Sequence, residues 1–199
     1  ADLGSFLQHV IKINYPLGAS DHHVSEALYL QDVDGNGIEI YADRSASSWI
    51  WKNKEVHMVT EPLKAEEVLA AGADKLWNGL PSDTVMGHIH LHVGNLEQAE
   101  EFYCKGLGFD VVTRYGGQAL FISADGYHHH IGLNIWNGRN IPPASKESVG
   151  LQSFTIHYPN DELRSDVITR LKEIDIEVQE ENEGFITTDP FGLTIRLSV

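Results

Sequence analysis

The sequence predicts an α+β protein assembled from repeated βαβββ units that pair into open, cup-shaped sheets. Three observations lead there. A strand–helix–three-strand pattern occurs twice in succession, at 87–138 and 149–199. The same pattern, short of its opening strand, precedes them at 1–43. Histidines and a glutamate fall at alternating strand positions, which gives these sheets a polar face that one unit cannot cover alone.

The elements follow in order. Residues 2–12 carry a helical pattern, and strands are expected near Asn14, at SEALYLQD and at GIEIYAD. A connector over 44–86 holds a strand, EVHMVT, and a short helix, LKAEEVLAAG. The next unit opens with a strand over 87–93. Asn95 can cap the helix that follows, whose apolar stripe is Leu96, Ala99, Phe102 and Tyr103. Gly106 or Gly108 ends it. Strands FDVVTRY, QALFISA and HHIGLNIW complete the unit. In the last unit LQSFTIHY is the opening strand and Asp161 to Ile174 the helix. IEVQEE, GFITTD and LTIRLSV are its remaining strands. The incomplete unit at residue 1 is expected to continue a further N-terminal part.

Composition narrows the function. A formal charge of −15 disfavours nucleic acid and anionic membranes as partners, because phosphate contacts need clustered Lys and Arg. No apolar stretch reaches the length of a membrane span, and no signal-peptide pattern opens the chain, so a cytoplasmic location is expected. The single cysteine, Cys104, excludes an internal disulfide framework and reads as a buried or half-buried thiol. A small-molecule partner remains, and the oligomeric state is left open. Eleven histidines are the compositional anomaly, and several gather in three short runs.

The first run begins DHHVSEALYLQDVDGNGIEIYAD, residues 21–43. Asp32, Gly35, Asn36 and Gly37 make a tight turn. It joins a strand with Tyr29 to one in which Glu39 and Tyr41 share a face, opposite Ile38 and Ile40. Taken alone, Glu39 reads as an exposed hairpin carboxylate. The second run, MGHIHLHV, places His88, His90 and His92 on one strand face, with Ile89, Leu91 and Val93 on the other. The third is Gly126-Tyr127-His128-His129-His130-Ile131-Gly132-Leu133.

Together these segments resemble the type I extradiol dioxygenases of the vicinal oxygen chelate (glyoxalase/bleomycin resistance) superfamily. Residues 21–43 carry that family's Tyr-x-x-Asp-x-x-Gly-Asn-x-x-Glu spacing, and residues 126–133 its Gly-x-His-His-x-Ile-x-Leu strand. The resemblance implies a vicinal oxygen chelate fold and Fe(II)-dependent opening of catechol-type rings by O2, giving a muconic semialdehyde. It implies that Glu39 and His88 are metal ligands and that Tyr29 hydrogen-bonds the substrate. His22 lines the site, with His23 as its competitor. His129 is the acid–base residue, with His130 as competitor should the register slip. His90 and His92 line the cup below His88. A third ligand is expected on a histidine upstream of Ala1.

The chemistry suits these residue types. Two imidazoles and a carboxylate hold Fe(II) with positions left open, and histidine exchanges protons near neutral pH. The final unit departs from the family pattern, with Ser153 and Thr194 where its histidine and glutamate belong. The site is therefore expected from the first and middle units. A glyoxalase-like isomerase and a metal-free binding module of the bleomycin-resistance type are the rival readings on the same fold.

Overall fold

Helix α1 (Asp2–Lys12) buries Leu3, Phe6, Leu7 and Val10, a spacing that puts all four on one face. In a computed structural model of the chain, which describes residues 1–145, 147–181 and 184–199, this helix belongs to a first compact unit, Ala1–Gly87. Strands β1 (Gly18–Asp21), β2 (Ser25–Gln31) and β3 (Gly37–Asp43) form its antiparallel sheet in that order. Leu28 of β2 joins the α1 residues in the core, together with Val68 of helix α2 (Ala65–Ala71). Helix α1 meets the end of α2 where neither has a side chain: a Cβ on Gly4 would lie 2.1 Å from the Val68 carbonyl oxygen, and one on Gly72, just after α2, 2.4 Å from the Gly4 carbonyl carbon.

The β2–β3 turn is closed by its own side chains. The Asp32 carboxylate accepts from the backbone N–H groups of Asp34 and Asn36 and from Asn36 Nδ2, all within 2.9 Å. Gly35 there has φ 84°. Strands β4 (Trp51–Lys52) and β5 (Glu55–Val56) form a small hairpin.

Two expectations shift in this unit. The strand placed near Asn14 begins at Gly18, because Asn14 adopts φ 54° and turns the chain out of the helix. The strand expected over EVHMVT shrinks to Glu55–Val56, its continuation meeting β1 only through an isolated bridge between Asp21 and Glu61.

The second unit, His88–Val199, holds two four-stranded sheets of identical strand order. The first orders β6 (Ile89–His92), β9 (Ile131–Asn134), β8 (Ala119–Ser123) and β7 (Asp110–Tyr115). The second orders β10 (Ser153–His157), β13 (Thr194–Ser198), β12 (Gly184–Thr188) and β11 (Val178–Glu181). In each, the first and last strands of the unit pair in parallel and the other neighbours antiparallel. This matched topology is the βαβββ repeat.

Asn95 caps helix α3 (Leu96–Glu100) by accepting from Gln98 N–H at 2.9 Å. The helix then widens into a π-helical turn over Glu101–Gly106, so the expected single helix is two geometries in sequence. Helix α4 (Asp161–Glu173) is capped likewise by Asn160. The two repeats share one core, in which Phe102, Tyr103, Leu133, Leu171, Ile195 and Leu197 are almost wholly buried. Gly106 lets α4 approach, since a Cβ there would sit 2.7 Å from Leu171 Cδ2. Tyr103 Oη donates to Asp189 Oδ2 at 2.8 Å, a buried polar staple. Cys104 is half-buried, and burial pushes its thiol up to about 12.

Candidate metal centre and active site

In the first unit the β2–β3 hairpin sets Tyr29 directly opposite Glu39. Tyr29 Oη donates to Glu39 Oε1 at 3.1 Å. His22, in the β1–β2 turn, hydrogen-bonds the same hydroxyl through Nε2, with the two rings edge-on at 6.1 Å. Its other nitrogen, Nδ1, lies 2.6 Å from the Val59 carbonyl oxygen. A carbonyl only accepts, so the Nδ1 hydrogen belongs to that contact, and Nε2 is an acceptor that competes with Glu39 Oε1 for the single Tyr29 hydroxyl hydrogen. Burial, reinforced by the neighbouring Glu39 charge, lifts the Tyr29 phenol well above its ordinary value. It therefore stays protonated and can donate a hydrogen bond.

His22 rather than His23 joins this group. His23 adopts φ 66° and turns its ring outward to Glu61, 3.3 Å away.

In the second unit His88, His90 and His129 converge, their ligand nitrogens all within 4.8 Å of one another. The alternation of β6 explains His90, since Leu91 and Val93 are buried while His90 and His92 are exposed. The His88 ring lies 4.2 Å from that of His129 and 5.0 Å from that of His90. Phe121 closes the group edge-on, 5.0 Å from the His129 ring and 6.1 Å from His90. His90 needs a glycine beside it: it pairs with Gly132, where a Cβ would meet its Nδ1 at 2.6 Å. His129 is buried, and its Nδ1 lies 2.9 Å from Nδ1 of the fully buried His128.

His130 goes elsewhere. Its Nδ1 accepts from the Ala124 backbone N–H at 3.2 Å and sits 3.1 Å from Ser123 Oγ. Burial, the larger effect, and the neighbouring His128 lower its basicity. His92 is hydrogen-bonded to Asn134 at 2.7 Å.

Thus the structure groups His22, Tyr29 and Glu39 in one unit, and His88, His90 and His129 in the other. In the last repeat Ser153 and Thr194 are direct neighbours across the β10–β13 pair, so that position offers hydroxyls in place of an imidazole and a carboxylate. Sequence reasoning gave His90 only a lining role, although its place two residues after His88 on one strand face was the available signal. The Val59 carbonyl carried none, because any residue supplies a carbonyl.

The histidine group fits a divalent metal. Neutral imidazoles suit iron, zinc, copper or nickel, and histidines so placed have a common point to bind.

The chain belongs to the Glyoxalase/Bleomycin resistance protein/Dioxygenase superfamily, whose family model matches residues 85–197, more than half of its length. Among curated proteins it is similar to the Catechol-2,3-dioxygenase of Bacillus subtilis (strain 168). The two are 46% identical over 192 residues, 95% of this chain and 67% of that protein. Solved structures with similarity include a lactoylglutathione lyase from Agrobacterium tumefaciens (19% identity, TM-score 0.44, 59% of this chain and 94% of that one). A glyoxalase family protein from Enterococcus faecalis is similar at 19% identity and TM-score 0.46, over 58% of this chain and 97% of that one.

Proposed function

We propose that this protein is an extradiol dioxygenase that opens catechol-type aromatic rings with O2, using Fe(II), and yields a muconic semialdehyde. The observation that carries the reading is the hydrogen-bonded line His22–Tyr29–Glu39 in a chain 46% identical to a Catechol-2,3-dioxygenase. The histidine group of the second unit supports it. The reading includes the organisation of the chain as 1–43, 44–86, 87–138 and 149–199.

In this reading His88 and Glu39 hold the iron. Fe(II), when bound, supplies the redox centre that lets a catechol react with O2. Tyr29, kept as a phenol, donates its single hydrogen to a catechol oxygen in place of His22 Nε2 and Glu39, the two acceptors that position it beforehand. His129 takes a proton from the catechol and returns one as the ring opens. Phe121, edge-on to His129, limits water around that imidazole.

The test is direct. The purified protein, loaded anaerobically with Fe(II), should convert catechol and O2 to a yellow product with matching oxygen uptake. An iron-loaded sample that consumes no oxygen with any catechol overturns the reading.

A further inference from the structure

We infer that Arg44 is a positioning residue for this site: through Asp21 it holds the turn bearing His22 and thereby fixes which imidazole nitrogen faces Tyr29. The inference rests on the roles given to His22 and Tyr29 above.

The turn between β1 and β2 is costly. His23 takes φ 66°, a left-handed conformation that side chains other than glycine's disfavour. Asp21 Oδ1 offsets this by accepting from the His23 N–H at 2.8 Å. Arg44, the residue after β3, grips the same carboxylate with both terminal nitrogens, Nη1 to Oδ1 at 2.6 Å and Nη2 to Oδ2 at 2.8 Å. Its guanidinium also reaches Glu26 at 3.1 Å and the Ser25 carbonyl at 3.4 Å, and its backbone N–H donates to Val24 at 2.8 Å. One side chain thus binds both ends of the turn.

Asp21 connects that grip to His22. Its backbone pairs with Glu61 in both directions, at 2.8 and 3.0 Å, and the Val59 N–H donates to the His22 carbonyl at 3.3 Å. This strip brings the Val59 carbonyl to His22 Nδ1. The ion pair is shielded, with side-chain exposures of 32% for Arg44 and 14% for Asp21. Lysine could supply the charge but not the two-pronged geometry.

The test reads the His22 tautomer directly. In purified protein labelled with 15N-histidine, at mildly alkaline pH, the His22 signal is assigned by its loss in His22→Gln. The wild-type ring should carry its hydrogen on Nδ1. Arg44→Gln should convert it to a mixture of tautomers, with Arg44→Lys intermediate. Turnover in Arg44→Gln should fall about tenfold, the lower end for removing an orienting partner, and added guanidinium should restore part of it. Should Arg44→Gln fail to fold, Asp21→Asn serves, because it keeps an acceptor for the His23 N–H and removes the anion. An unchanged Nδ1–H tautomer in either folded variant overturns the inference. A wild-type protein that leaves catechol untouched overturns the ring-cleavage reading instead, and the tautomer measurement still decides the positioning.

Discussion

Tyr29 and Glu39 stand opposite each other on neighbouring strands and share a hydrogen bond of 3.1 Å, the phenol donating to the carboxylate. Ten positions separate them in sequence, and a tight turn between strands makes them neighbours. The phenol is placed to hand its hydrogen bond to a substrate oxygen. Tyr29→Phe should retain iron and fold while raising KM for catechol about tenfold, since one hydrogen bond to a charged group contributes roughly 1.5–3 kcal/mol. Steady-state oxygen uptake measures it, and an unchanged KM would remove Tyr29 from the substrate site.

Holding the metal and moving protons should separate by mutation. Glu39→Ala should lose iron, because a site stripped of its only anion retains a divalent ion poorly. His129→Ala should keep iron and lose turnover on the order of 10²–10⁴-fold, the range for an acid–base group. His90→Ala, whose imidazole in this reading lines the site without holding the metal, should do neither. Elemental analysis beside oxygen uptake distinguishes these outcomes. Iron lost from His90→Ala and His129→Ala but kept in Glu39→Ala would move the ligand set to the three-histidine group of the second unit.

The buried Tyr103–Asp189 staple predicts a pH dependence of stability. Burial raises Asp189 above its ordinary 3.8, outweighing the hydrogen bonds from Leu193, Tyr103 and Phe191 that favour the carboxylate. The folded state therefore holds a proton that the unfolded chain releases. Its contribution is fully present below 3.8 and is lost as pH rises through the raised folded value. Asp189→Asn should flatten that part of the profile in urea unfolding and leave the protein at least as stable at neutral pH. A profile identical to wild type would refute the assignment.

Asp21 gives the opposite sign. The Arg44 guanidinium holds its carboxyl below the usual range, the stronger effect against partial burial. Its stabilisation is present above 3.8 and is lost as pH falls through the lowered value. Arg44→Gln should thus show less loss of stability on acidification than wild type, measured by thermal unfolding across that acid range. An equal loss would show that the pair contributes nothing.

The α1–α2 crossing is the third structural test. Alanine is the better helix former by roughly 1 kcal/mol, yet Gly4→Ala places a Cβ 2.1 Å from the Val68 carbonyl oxygen, a backbone atom that cannot rotate away. Overpacking of this kind costs about 1–3 kcal/mol, so the variant should unfold at lower urea. A stabilised Gly4→Ala would mean that the two helices separate readily.

The sequence alone determined the local elements and which faces they bury. The strand order repeated in both sheets follows from the two βαβββ patterns, and the exposed His90 and His92 against buried Leu91 and Val93 follow from strand alternation. The Tyr29–Glu39 pairing follows from a turn whose Asp, Gly and Asn close it locally. Local rules failed where backbone conformation shifted within an element, as in the π-helical turn after Glu100 and the late start of β1. Tertiary structure alone put His22 beside Tyr29 with His23 turned to Glu61, and His129 beside His88 with His130 turned to Ser123. Adjacent residues of one type are equivalent to any sequence pattern. A left-handed φ at His23 and the Ser123–Ala124 contacts of His130 turn one ring of each pair away from its group. One such cause is a single dihedral angle and the other a pair of side-chain contacts across a short turn, and neither leaves a pattern in the sequence.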